Sequence, residues 1–243
     1  MLEHLHGAPP EALVIAQTWT PVLVQKMLEA VWAGYDDLHQ QMLSQANWSI
    51  RFENLERGLT EALYFFINRR LDAALSVSLW HSPGEEESRF SAQAQPPTYD
   101  MAFVSHGDMR LRWPLEAKVF HSDADTQQNL GDYVDTFNNR FMGCRYAPFS
   151  PSGAMLGYLI SGQVSNVFAH LASRLSCTMT AYPGFPSRDH RVSDHQRVVP
   201  QDKPYPIDFQ CHHLIMLLSN LASDTTQTSN RISETGGAGE CVQ

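Results

Sequence analysis

The sequence predicts an α/β fold: a central mixed β-sheet flanked by helices, with an N-terminal helical extension. Two observations predict it. Apolar residues recur at helical spacing within 11–46, 53–72, 125–142 and 164–175, whereas 98–104, 109–120, 155–160 and 209–218 are short apolar stretches of strand length. The resulting order is helix, strand, strand, helix, strand, helix and a last apolar segment, the alternation that builds a sheet with helices packed on it. Size agrees, because 243 residues with 43% hydrophobic content can bury a substantial core.

Each element has its own signal. Pro21 opens the first main helix at a first-turn position, and Val22, Leu23, Met27, Leu28, Val31 and Trp32 follow at helical spacing. Leu55, Leu59, Leu63, Phe66, Ile67 and Leu71 form the apolar stripe of an amphipathic helix over 53–72. Residues 82–97 carry three consecutive glutamates and three prolines and read as a loop. Thr98–Val104 reads as a strand, His106-Gly107-Asp108 as a turn, and Met109–Phe120 as a second strand antiparallel to the first. Pro114 cannot donate a ladder hydrogen bond, which predicts a bulge or an edge at that point. Leu130, Tyr133, Val134, Phe137 and Phe141 share one side of a helix, Met155–Ile160 is a short apolar strand, and Val164–Leu175 is a helix. Residues 183–206, rich in Pro, Asp, Arg and His, read as a long loop, and Phe209–Leu218 as either a last strand or a strand running into a helix. The domain boundaries expected are 1–50 for the extension, 51–222 for the α/β domain and 223–243 for a disordered tail.

Charge and cysteine usage narrow the function. The net charge is −9, so any nucleic-acid contact must come from a local basic patch, a metal-neutralised site or a partner subunit. The four cysteines form no CxxC pair, which argues against a zinc ribbon or a disulfide framework and for a reducing, cytoplasmic setting. No apolar run approaches the roughly 18 residues of a membrane span, and the N-terminus lacks the pattern of a secretory signal. Cys211-His212-His213 has the wrong spacing for a structural zinc site, and strand alternation places the two histidines on opposite faces. The chain has no GxGxxG, Walker A, GxSxG or HExxH pattern.

The chemistry concentrates in Asp100 and in Leu115-Glu116-Ala117-Lys118-Val119. Only three lysines occur, Lys26, Lys118 and Lys203, so a lysine two residues after an acid on a predicted strand is a distinctive placement. Residues i and i+2 of a strand share a face, so Glu116 and Lys118 project together while Ala117 and Val119 face the core. A hairpin brings Asp100 beside Glu116. Two carboxylates with a backbone carbonyl such as that of Ala117 form a hard oxygen site of the kind that favours Mg²⁺ or Mn²⁺. Such a site suits phosphodiester hydrolysis, with a lysine beside the metal to orient water and to stabilise developing charge.

Asp100, Glu116 and Lys118 resemble the D…(D/E)-x-K signature of the PD-(D/E)XK superfamily, the restriction-endonuclease-like nucleases. Glu56-Arg57-Gly58-Leu59-Thr60-Glu61-Ala62-Leu63 resembles the E-x-x-L-T-x-x-L pattern often found on the preceding helix in that family. The resemblance covers roughly 53–160. Tyr99 stands where the motif has proline, and 15 residues separate Asp100 from Glu116, which requires a long hairpin. The resemblance implies a restriction-endonuclease-like core and Mg²⁺-dependent cleavage of nucleic acid, DNA most of all, with Mn²⁺ able to substitute. It assigns Asp100 and Glu116 as metal ligands, Lys118 as the catalytic lysine and Glu56 as a further metal or water-positioning acid, with Glu53 and Glu61 as rivals for the last role. Arg140 or Gln128, on the helix after the strand, would approach the scissile phosphate. The basic stretch with Arg188, Arg191 and Arg197 is the best local candidate for phosphate contact. His121, just after the active strand, is a candidate neighbour of the metal. The acidic balance implies work as a homo-oligomer or with a partner subunit. The setting implied is restriction or anti-phage defence, or else repair. The alternative is a catalytically silent subunit that keeps the fold and serves as a binding or scaffolding component.

Overall fold

The structure is a computed structural model that describes residues 18–44, 54–86, 91 and 94–218. The expectations for the start of the extension, for Glu53 and for the tail at 223–243 lie outside the described residues.

Seven strands form one mixed sheet in the order β1-β2-β3-β4-β7-β6-β5. They are β1 (Val77–His81), β2 (Met101–Ser105), β3 (Arg112–Phe120), β4 (Ser152–Leu159), β5 (Thr180–Ala181), β6 (His190–Gln196) and β7 (Asp208–Leu217). The β1–β2 and β2–β3 pairs are antiparallel, β3–β4 and β4–β7 are parallel, and β6 pairs antiparallel with both β7 and β5.

Helices cover both faces. On one face lie α1 (Pro21–Ser44) and α2 (Leu55–Arg70). Met27, Leu28, Val31, Leu59, Leu63 and Ile67 pack there against Phe103, Trp113, Leu115, Ala117, Leu156 and Leu214 of the sheet. The two helices approach closely at Gly34, where a Cβ would come within 2.8 Å of the Ile67 backbone nitrogen. On the other face lie α3 (Asp132–Thr136), continued by wider π-helical turns at Gln127–Gly131 and Phe137–Met142, and α4 (Val164–Arg174). Leu130, Tyr133, Phe137, Phe141, Phe168 and Leu171 pack there against Phe120, Met155, Phe209 and Ile215. Among the described residues no helix is long and apolar enough to cross a membrane.

The sequence expectations need three corrections. Val77–His81, left without an assignment, is the edge strand β1. Residues 190–196, expected as part of a loop, form β6; its register with β7 is continuous from His190↔Leu214 to Gln196↔Asp208. Pairing with a long apolar neighbour overrides the weak strand propensity of HRVSDHQ. Of the bulge or edge expected at Pro114 the bulge does not form, since Met101–Val104 pairs with Arg112–Leu115 without a break. Pro114 lies one residue before the parallel ladder to β4, which starts at Leu115.

Strand alternation divides the histidines of β7. His212 meets His190 at 3.0 Å on the α1 face, and Trp32 Nε1 donates to His190 Nδ1 at 3.3 Å. His213 meets the Tyr133 hydroxyl and Ser193 Oγ, each at 2.7 Å, on the α3 face. Burial holds all three histidines neutral, pushing the pKa of His190 to about 2, His212 to about 4 and His213 to about 3. Each folded value lies below the unfolded one, so this stability is complete above about pH 6.5 and is lost as pH falls, because only the unfolded chain takes up the protons. The cost is about 1.4 kcal/mol per pH unit per histidine. Glu116, raised by burial to about 7, works in the opposite direction by holding one proton in the folded state. The three histidines outnumber Glu116, so stability is expected to fall as pH drops from about 6.5 to 4.5. Urea unfolding in steps across that range checks it, and a flat or rising stability would contradict neutral burial of the three rings.

Candidate active site

Strand β3 runs nine residues and β2 only five. Their pairing ends at Met101↔Leu115, so beyond Leu115 the β2 side of β3 is without a strand neighbour. Unpaired backbone N–H groups in a half-buried position need acceptors, and two carboxylates provide them. Asp100, one residue before β2, accepts from Ala117 N–H at 2.7 Å. Glu56, in the first turn of α2, accepts from Val119 N–H at 3.1 Å. The free edge of β3 therefore collects acids from two separate elements.

Lys118 lies between them. Its Nζ is 2.7 Å from the Ala117 carbonyl, 3.1 Å from Glu116 Oε1 and 3.4 Å from Glu56 Oε1. The side chains of Glu116 and Lys118 are 9% and 15% exposed, against 41% for Glu56, which places the ion pair with Glu116 inside and Glu56 at the rim. The structure thus brings together all four residues expected at the centre: Glu56, Asp100, Glu116 and Lys118.

The site is electrostatically loaded. Burial raises the Glu116 carboxyl to about 7, the Asp100 charge adds to the effect, and Lys118 opposes it. Burial also raises Asp100 and Glu56, in both cases opposed by Lys118 and a backbone N–H. Burial alone would lower the Lys118 pKa, but the charges of Glu116, Glu56 and Asp100 outweigh it and hold the ammonium above the ordinary lysine value. One group of the site remains unsatisfied: Glu116 Oε2 is buried without a hydrogen-bond partner among the described residues.

Two clefts meet at Glu56 and Arg57. One, of about 240 Å³, is lined by Glu56, Arg57, Thr60, His81, Ser82 and Asp100. The other, of about 400 Å³, includes Val119, His121, Gln128 and Asp132 beside Glu56 and Arg57. Gln128 and His121 therefore border the site. Arg57 and His81 border it as well and were missed in the sequence. Arg57 lies inside the E-x-x-L-T-x-x-L stretch at a position that the pattern leaves open, and His81 ends β1, which carries no sequence signal of its own.

Arg140 stacks over Tyr146 at 5.6 Å, and the Tyr146 hydroxyl, raised by burial and then by Glu116, lies in the field of the site. The other expected phosphate contacts lie elsewhere. Arg188 forms a bidentate pair with Asp36 at 2.5 and 2.8 Å. Arg191 stacks on Phe168 at 4.5 Å. Arg197 corrects an expectation: it is 4% exposed and donates to the carbonyls of Ala147, Pro148 and Pro206, so it is a buried structural cation.

Among the described residues no three Asp, Glu, His or Cys side chains gather into a group able to hold a metal ion by themselves. Both Glu56 oxygens are engaged, by Lys118 and by Val119 N–H. The donors that suit a hard divalent cation are the carboxylates of Asp100 and Glu116 with the Ala117 carbonyl. The buried, partnerless Glu116 Oε2 fits such a role, because a buried carboxylate oxygen is costly without a donor or a cation.

A stability consequence follows from Glu116. Its folded pKa of about 7 exceeds the unfolded 4.5, so folding with this group costs free energy above pH 7 and the cost fades as pH falls through 7. Glu116→Gln is expected to be about 1–3 kcal/mol more stable than wild type at pH 8, and no more stable at pH 5. Urea unfolding at the two pH values measures it, and destabilisation at pH 8 would contradict the assignment. Comparison with family models, with curated proteins and with solved structures gives no match.

Proposed function

We propose that this protein is a metal-dependent nuclease on a restriction-endonuclease-like core, hydrolysing phosphodiester bonds of nucleic acid, DNA foremost. The observation that carries the reading is the juxtaposition at the free edge of β3. A half-buried lysine lies 3.1 Å from Glu116 and 3.4 Å from Glu56, Asp100 is held to the intervening residue, and one Glu116 oxygen has no donor among the described residues. Packing alone gives no reason to gather three acids and a lysine, one of the acids fully buried, where the β2 pairing ends, since a buried ion pair is weak evidence for stability. Perturbed carboxyls beside two clefts are a functional signature.

In this reading Asp100 and Glu116 would hold the cation together with the Ala117 carbonyl. Bound Mg²⁺, or Mn²⁺ in its place, supplies polarisation of the phosphate and a lowered pKa for attacking water. The surrounding acids hold the Lys118 ammonium above the ordinary lysine value, so it can orient water and stabilise charge developing on the phosphate oxygens. Glu56, with one oxygen on Val119 N–H and the other on Lys118, aims the ammonium. Gln128 and Arg140 flank the approach from α3 and its continuation, where they can contact the phosphate chain. With a net charge of −9, substrate capture draws on an oligomer or a partner subunit.

The test is cleavage of supercoiled plasmid, linear duplex, single-stranded DNA and RNA with Mg²⁺, Mn²⁺ or EDTA. Cutting is expected with metal only, falling about 10³-fold or more in each of Asp100→Ala, Glu116→Ala and Lys118→Ala while the circular dichroism spectrum is retained. Unchanged cutting in all three variants would sink the proposal. Mn²⁺ is expected to raise the Tm of wild type and not of Asp100→Asn.

A further inference from the structure

A second cavity, of about 640 Å³, lies where the start of α1 meets the β4-β7-β6 part of the sheet. It shares no lining residue with the two clefts at Glu56. Its volume is that of a small-molecule site.

Its buried polar groups are donors. Trp19 is 5% exposed and lines the cavity, and its Nε1–H is buried with no partner among the described residues. His212, 1% exposed, also lines it, and its bonding fixes the tautomer. An indole N–H only donates, so Trp32 makes His190 Nδ1 an acceptor and leaves the proton of neutral His190 on Nε2. That proton is given to His212 Nδ1 at 3.0 Å, and neutral His212 therefore carries its own proton on Nε2. Burial keeps both rings neutral. Ser152 adds a third donor: its Oγ accepts from Trp113 Nε1 at 2.8 Å, which leaves the hydroxyl proton to give.

The walls are aromatic and the rim is acidic. The Trp19 ring and the Tyr182 ring form flat faces, the latter 5.0 Å from His212. Asp194 and Asp208 are exposed and line the opening. Donors within select carbonyl or ring-nitrogen acceptors, flat walls select a planar ring, and rim carboxylates accept from hydroxyls while repelling phosphate.

We propose that this cavity binds a neutral heteroaromatic of nucleoside size, its ring acceptors on Trp19 Nε1–H, His212 Nε2–H and Ser152 Oγ–H, its hydroxyls toward Asp194 and Asp208. The site is independent of the nuclease proposal.

Calorimetric titration of the full chain with uridine, inosine, their 5′-monophosphates and ribose tests it. At least one nucleoside is expected to bind with a Kd below about 1 mM. Its monophosphate should bind at least tenfold more weakly, and ribose should not bind. Trp19→Phe keeps the ring and removes the N–H, and Ser152→Ala removes the hydroxyl. Each is expected to weaken binding about tenfold. A thermal melt of Trp19→Phe verifies that the variant is folded before its affinity is read. Lys118→Ala should bind as wild type does, which separates this site from the nuclease reading. Lack of binding by both nucleosides, equal or tighter binding of the monophosphate, or unchanged affinity in Trp19→Phe would each overturn the proposal.

Discussion

Strand β3 outruns its antiparallel neighbour, and the rest of the site follows from that mismatch. Past Leu115 the strand keeps β4 on one side and has no strand on the other. Backbone N–H groups at Ala117 and Val119 must be satisfied by something other than a ladder. Asp100 and Glu56 satisfy them, one from the chain entering β2 and one from the first turn of α2. The same edge presents the Ala117 carbonyl, which takes Lys118 at 2.7 Å. A gap in a sheet is thereby converted into a cluster of fixed carboxylates around one ammonium.

The cluster holds more negative than positive charge, and this gives it chemical capacity. Lys118 neutralises one of three acids, and burial makes the remaining charge costly, as the raised carboxyls of Glu116, Asp100 and Glu56 record. Sites under such tension trade stability for function. Stability must then come from elsewhere in the sheet. The β4-β7-β6 half is well placed to provide it, with two neutral histidine chains, one per face, linking α1 and α3 to the sheet through Trp32 and Tyr133. The acid cluster at the β3 edge and the tightly bonded half are joined through β4 and the helices above and below.

Where local chemistry and periodicity agreed, the fold was legible. The stripe Leu55, Leu59, Leu63, Phe66, Ile67 is buried as its spacing predicts. The alternation that puts Glu116 with Lys118 and Ala117 with the core is also seen. Glu56 was legible only through the resemblance, because nothing in its spacing distinguishes it from Glu61, which instead pairs on the surface with Arg57 at 2.8 Å. Strand β6 was not legible, because Arg, Asp and His in HRVSDHQ carry a loop signature while the strand is held by tertiary pairing and by His190. Arg197 misled for a related reason. Charge composition marks an arginine as a phosphate contact, but its neighbourhood of loop carbonyls makes it a buried tie.

The placement of Glu56 also explains why α1 matters to a site it does not touch. Glu56 reaches β3 from the helix layer, so its aim depends on where α2 lies over the sheet. That position is set by the packing of α1 against α2, which closes to backbone contact at Gly34 and Ile67 and is reinforced by the Arg70–Asp37 pair at 2.6 and 2.7 Å. Arg188 ties α1 in turn to the chain leading into β6, through Asp36 and the face of Trp32. Trp32 begins the histidine chain that ends at His212 in the second cavity. One helix therefore fixes the acid of the first site and the donor tautomer of the second, so its apolar face serves as the common reference for both.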